Sequence, residues 1–199
     1  MQASGAKNHN NQGLLLQLKG RPIVLVGMMG AGKTSVGRRL AAQLGRSFVD
    51  SDFEIEAAAG MNIEDFFAIH GEDEFRSGET KVIERLLKQS DIVLATGGGA
   101  FINPQTRAVI ARRAVSVWIK AEFELLFSRV SRRSNRPLLK TPDPRQTLKK
   151  LIEQRYPIYK LADLTVVSTD VTQDMVARQI SAELGRYLSG RQKKETKQQ

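Results

Sequence analysis

The stretch Gly27-Met28-Met29-Gly30-Ala31-Gly32-Lys33-Thr34 constrains this chain more than any other. Two glycines enclose four residues and are followed by Lys and Thr, the pattern of a strand that turns around a phosphate group into a helix. Glycines permit positive backbone dihedrals and let amide N–H groups approach phosphate oxygens with no side chain between. The helix that begins near Lys33 adds the positive end of its dipole. Lys33 then serves as a point charge for the β- and γ-phosphates, and the Thr34 hydroxyl can ligate Mg2+. The flanks fit. The apolar run Ile23–Val26 precedes the loop, and Val36, Leu40 and Leu44 recur behind it at helical spacing. The chain must therefore contain a strand–loop–helix unit, and the unit implies binding of a nucleoside triphosphate.

The rest of the chain continues that alternation. Short apolar runs predict strands at Ile23–Val26, Ser47–Asp50, Ile92–Ala95, Val115–Ile119 and Leu164–Val167. Most are apolar throughout rather than alternating, as suits strands covered on both faces. Amphipathic patterns predict helices near 33–44, 54–69, 73–89, 105–112, 122–133, 146–160 and 172–188. The fold class is therefore α/β, a parallel sheet with helices on both faces. At 199 residues with 41% hydrophobic content, the chain can bury one real core. We expect a polar, disordered head at 1–20, one domain at 21–188 and a disordered basic tail at 189–199.

The net charge of +10 is concentrated in the two ends and in one segment. That segment, 128–145, carries Arg129, Arg132, Arg133, Arg136, Lys140 and Arg145 against Asp143, with Pro137, Pro142 and Pro144 breaking the helical pattern. Within it, Ser134–Pro144 reads as a loop or flap inserted between two helices. A nucleic-acid face would spread basic residues along an element with aromatics between, so no nucleic-acid partner is expected. No apolar run has the length a membrane span needs, and no signal-peptide core is present, so we expect no membrane partner and a cytoplasmic protein. There is no cysteine, which excludes disulfides, thiolate metal sites and a catalytic thiol.

Four further motifs stand where a second ligand would meet the nucleotide. Asp50-Ser51-Asp52 follows the second strand, at the end of a parallel strand that faces the ligand crevice. One carboxylate can hold Mg2+ and the next-but-one can accept from a substrate hydroxyl; equally, the pattern could be a turn or helix cap, with Asp52 capping the helix that follows. In Phe75-Arg76-Ser77-Gly78-Glu79, Arg76 offers a planar fork for a carboxylate, and Glu79 lies one turn away to hold it. Thr96-Gly97-Gly98-Gly99-Ala100 follows the third strand, and either close ligand approach or a flexible turn accounts for three glycines. Asn135-Arg136-Pro137-Leu138-Leu139 lies in the basic segment, with Arg155-Tyr156-Pro157-Ile158-Tyr159 downstream. An arginine closing over the γ-phosphate would stabilise transition-state charge and exclude water.

Taken in order, G-x-x-G-x-G-K-T, D-x-D, F-R-x-x-E, G-G-G, R-P-L-L and R-x-P-x-Y resemble the shikimate kinase family over roughly residues 20–185. The resemblance implies a five-stranded parallel sheet, like that of nucleoside monophosphate kinases, with a mobile lid at about 128–145. It implies transfer of the γ-phosphate of ATP to the 3-hydroxyl of shikimate, with Mg2+. Gly27, Gly30, Ala31, Gly32, Lys33, Thr34 and Ser35 would cradle the phosphates, with Lys33 on the transferred group and Thr34 and Asp50 organising Mg2+. Asp52 would bind and orient the 3-hydroxyl. Arg76 and Arg155 would clamp the carboxylate, and Gly97, Gly98 and Gly99 would let the ring approach the backbone. Arg136 would be the lid arginine and Arg129 the lid-base arginine near adenine. Shikimate and ATP are the expected partners, and the expected working unit is a monomer. A gluconate kinase of similar fold and a non-catalytic ATP-binding module are the rival readings. Trp118 is expected in the core, and His70 at a helix end rather than in catalysis.

Overall fold

The computed structural model describes residues 12–132 and 141–196, the last five of these by backbone alone. A helix over residues 12–18 (α1) leads into β1 (Ile23–Val26), α2 (Lys33–Leu44), β2 (Ser47–Asp50), α3 (Ser51–Ala59) and α4 (Ile63–Leu86). Then follow β3 (Ile92–Ala95), a 3-10 turn (Ala100–Ile102), α5 (Pro104–Arg113), β4 (Val115–Ala121) and α6 (Phe123–Ser131). The chain closes with α7 (Pro144–Tyr159), β5 (Leu164–Ser168) and α8 (Gln173–Thr196).

The five strands form one sheet in the order β2-β3-β1-β4-β5, and every pairing is parallel. The connection through α2 moves leftward in this order, whereas those through α4, α5 and α7 move rightward. Right-handed crossovers therefore set α2 on one face and the others on the opposite face. The packing agrees: α2 lies against α8, and α4 against α5. β1, β3 and most of β4 are wholly buried, which explains their unbroken apolar sequence. Trp118 is part of this core, as expected.

The direction of the connections reverses at the neighbouring strands β1 and β3, the place where α/β sheets bind ligands. The register pairs Leu25 with Ala95 and Asp50 with Ala95 across β1-β3-β2. The ends of these three strands, and so the segments after Val26, Asp50 and Ala95, emerge side by side.

The chain departs from the sequence expectation at both ends and in one helix pair. Residues 12–18 are helical rather than disordered, because Leu14 and Leu18, one turn apart, enter the core. The helix ends at Lys19 and Gly20, both with positive φ. At the other end α8 passes the expected boundary at 188 and runs to Thr196, carried by the buried Leu184 and Leu188. The break expected near 70–72 is a kink inside α4 at Gly71 (φ 79°, ψ 177°), and the true break falls at Gly60, whose φ of 68° ends α3. His70 stands just before that kink, 3.5 Å from Glu74. Among the described residues, no helix is long and apolar enough to cross a membrane.

Candidate active site

The loop after β1 is shaped by its glycines. Gly27 has φ 139°, and a Cβ there would stand 2.6 Å from the Ile119 carbonyl oxygen. Gly30 (φ 81°) backs onto Val130 of α6, where a Cβ would approach Cγ1 to 2.9 Å. Gly32 caps α2 in the left-handed conformation. Lys33 is buried, and its ammonium donates to the carbonyls of Gly27 at 2.8 Å and Met28 at 2.9 Å. It thus spans the mouth of the loop. The Ala31 amide donates to the Met28 carbonyl at 3.2 Å, and the Ser35 carbonyl accepts from Arg39 at 3.1 Å. Arg129 of α6 reaches the Gly30 carbonyl at 3.4 Å, so the last turn of α6 touches the phosphate loop directly. Arg136 lies outside the described residues.

At the end of β2 it is Asp50, and not Asp52, that caps the helix that follows, because the cap must precede the first helical residue, Ser51. Asp50 caps α3 by accepting from the Asp52 amide at 3.1 Å, and its other oxygen accepts from the Thr34 hydroxyl at 2.8 Å. Asp52 turns its side chain toward the glycine strip, where a Cβ on Gly97 would lie 2.6 Å from Oδ1. Ser51, fully buried between them, accepts from the Gly97 amide at 3.2 Å.

The strip Gly97–Gly99 is crowded at its two outer glycines. A Cβ on Gly97 would also lie 3.1 Å from Glu79 Oε1, and one on Gly99 would stand 2.4 Å from Arg76 Nη2. Gly98 faces the Met29 amide and Arg155, and Arg155 Nη1 donates to its carbonyl at 3.4 Å. None of the three has positive φ. Gly97 and Gly99 are therefore required by the space that the Asp52, Glu79 and Arg76 side chains occupy, and not by backbone conformation. Among the described residues, the Gly98 and Gly99 amides donate to no protein acceptor, whereas the Gly97 and Gly99 carbonyls accept from Ala100 and Ile102. Two backbone donors thus remain for a ligand.

Arg76 donates to Glu79 at 2.7 Å and to Glu72 at 3.2 Å, above the rings of Phe75 and Phe67. Burial alone would lower the Arg76 pKa, but the charges and hydrogen bonds of Glu79 and Glu72 outweigh it and raise it. Glu79 moves up as well, which a simple ion pair would not produce. It is almost fully buried, so desolvation dominates over Arg76, and the neighbouring Asp52 adds repulsion. One helical turn beyond Arg155, the buried Tyr159 hydroxyl donates to the Gly98 carbonyl and lies 3.8 Å from Met28 Sδ. Burial pushes its pKa up to about 12, so it is a neutral donor.

Tyr159 and Ser51 are the site residues that sequence reasoning missed. Tyr159 was marked only by its place in R-x-P-x-Y, and Ser51 only as the small residue between two aspartates. A groove of about 600 Å³ between α6 and α7, lined among others by Phe123, Arg145 and Ile152, contains none of these site residues. No group of three metal-binding side chains occurs among the described residues.

A family model described as shikimate kinase matches residues 29–185. The chain belongs to the shikimate kinase family. A shikimate kinase of Rhodopseudomonas palustris is 49% identical over 94% of this chain and 92% of its own length. A solved shikimate kinase from Acinetobacter baumannii, in complex with shikimate, superposes with a TM-score of 0.78 at 42% identity, covering 80% of this chain and 90% of that one. A gluconokinase from Sinorhizobium meliloti shares the fold alone, with a TM-score of 0.58 at 18% identity over 86% of this chain and 95% of that one. The family's match begins within the phosphate loop, at residue 29, and runs through Tyr159 into α8, so of the site residues described above Gly27 and Met28 precede it.

Proposed function

We propose that this shikimate kinase family member transfers the γ-phosphate of ATP to the 3-hydroxyl of shikimate. The observation that carries this reading is the convergence of Asp52, Arg76, Glu79 and Arg155 on Gly97–Gly99, directly beside the phosphate loop. Two guanidinium groups and two free amides suit an acceptor with a carboxylate and several hydroxyls. Members of the same crevice, Lys33 and the loop amides, suit the triphosphate.

The chain's own residues would act chiefly by position and charge, since phosphoryl transfer asks little covalent work of a protein. Phosphate oxygens would take the Lys33 ammonium from the Gly27 and Met28 carbonyls, leaving it aimed at the transferring group. Asp52 would accept from the 3-hydroxyl, hold its oxygen in line for attack and take its proton as the new O–P bond forms and the bond to ADP breaks. Arg76, held by Glu79 and Glu72, and Arg155, held by Gly98, would clamp the carboxylate. Arg136, by its place in R-P-L-L, would bring charge to the phosphates. The Thr34 and Asp50 pair is an all-oxygen donor set on which Mg2+ fits together with phosphate oxygens and water. When bound, Mg2+ would neutralise charge on the β- and γ-phosphates. Every one of these residues comes from one chain, and a single chain is the proposed working unit.

Specificity follows from the clamp. An acceptor without a carboxylate forgoes the charge-assisted bonds to both guanidiniums, each worth about 1.5–3 kcal/mol. The test is coupled ADP release with Mg-ATP, with and without shikimate, beside a gluconate control and an Asp52→Asn variant. Release that requires shikimate and collapses in the variant is expected. Release with gluconate but not shikimate would overturn the proposal.

A further inference from the structure

The glycine strip is pinned at one end by Ser51, which accepts from the Gly97 amide. Its middle has no such local support. Gly98 and Gly99 lack side chains, so the peptide between them can rotate with little steric hindrance. That peptide is planar and trans, and hence its two polar ends, the Gly98 carbonyl and the Gly99 amide, point in opposite directions. Whatever holds the carbonyl aims the amide.

The carbonyl is held by the Tyr159 hydroxyl, with Arg155 Nη1 as a longer second donor at 3.4 Å. Tyr159 is itself immobile. Its side chain is fully buried, its ring lies 5.9 Å from that of Trp118, and its hydroxyl touches Met28 Sδ in the phosphate loop. We propose that Tyr159 is a positioning residue: by holding the Gly98 carbonyl it aims the Gly99 amide into the acceptor pocket between Arg76, Asp52 and Arg155. It never touches the acceptor. The inference rests on the shikimate kinase reading.

The test compares Tyr159→Phe with Tyr156→Phe. Tyr156 lies on the same helix and buries a hydroxyl against the Ala121 carbonyl, away from the strip, so it reports the general cost of losing such a bond. Wild-type ADP release that requires shikimate is established first; its failure would sink the proposed function before any variant is read. In Tyr159→Phe the KM for shikimate is expected to rise about three- to tenfold, the worth of one aimed hydrogen bond. The kcat and the KM for ATP should stay within about twofold, because the lost contact acts equally on ground and transition states. Tyr156→Phe should leave the shikimate KM at the wild-type value. A wild-type shikimate KM in Tyr159→Phe, or equal rises in both variants, would overturn the proposal. If Tyr159→Phe does not fold, the Gly99 amide is followed by NMR in wild-type protein. A clear shift on adding shikimate is expected, and an unmoved resonance would refute the role.

Discussion

The Thr34 hydroxyl donates to Asp50 Oδ2 at 2.8 Å, which joins the first turn of α2 to the end of β2 across the phosphate loop. The other Asp50 oxygen caps α3, so one carboxylate serves both a structural and a proposed metal-organising task. Asparagine caps helices as well as aspartate does but carries no charge. Asp50→Asn should therefore melt within a few degrees of wild type while its half-saturating Mg2+ concentration rises roughly tenfold, the equivalent of one charge-assisted contact. Mg2+ titrations of the steady-state rate decide it, and an unchanged midpoint would remove Asp50 from the metal site.

The glycine strip separates two kinds of damage. Gly99 has φ −95° and ψ −18°, which alanine adopts readily, but the new methyl would displace the Arg76 guanidinium. At Gly97 the methyl would instead displace the Asp52 carboxylate. We expect Gly99→Ala to raise the shikimate KM at least about tenfold with the smaller effect on kcat, and Gly97→Ala to lower kcat by a factor on the order of a hundred, as misplacement of a reacting group does. Steady-state kinetics with shikimate varied at saturating ATP make the comparison. Equal KM and kcat effects in both variants would mean that the strip acts as one unit.

Most of the fold could be read from the sequence because each buried strand is a continuous apolar run and each is followed by a helical pattern. The strand bounds Ile23–Val26, Ser47–Asp50 and Ile92–Ala95 match the structure. The motif residues of the site were legible for the same reason that they are crowded: a residue type that only one geometry accepts, such as Gly97 or Arg76, leaves a mark on the chain. What escaped depends on contacts across the sequence. Tyr159 gains its role by reaching Gly98, sixty-one positions away, and no local pattern records that. The helix at 12–18 escaped because its polar neighbours hide two leucines whose partners lie in the distant core. Gly60 and Gly71 looked alike in sequence, but only the backbone shows which one ends a helix and which one kinks it.

That hidden helix can be weighed. Leu18 is fully buried, although it stands outside the motif-bearing region. Leu18→Ala should destabilise the protein by about 2–5 kcal/mol, the usual cost of emptying a core leucine site. Its KM values for both substrates, measured well below the melting temperature, should match wild type, since no site residue is touched. Urea unfolding gives the first quantity and steady-state kinetics the second. A loss below about 0.5 kcal/mol, the range of surface substitutions, would mean that α1 is a passive extension.

Glu79 offers the sharpest pH test, because burial raises its pKa above the ordinary 4.5 despite the Arg76 partner. In the native state it therefore holds its proton to higher pH than in the unfolded chain. Between the ordinary value and the raised one, the native state binds more protons, so stability falls as pH rises through that window. The contribution is fully present below the unfolded value and is lost above the native one. Arg76 adds no slope there, since its pKa is raised and it stays charged throughout. Glu79→Gln keeps an acceptor for Arg76 and removes the titration. Urea midpoints measured from mildly acid to neutral pH should then show a downward component in wild type that the variant lacks. Parallel profiles for the two proteins would mean that Glu79 is ionised in the native state across the whole range, with Arg76 outweighing its burial.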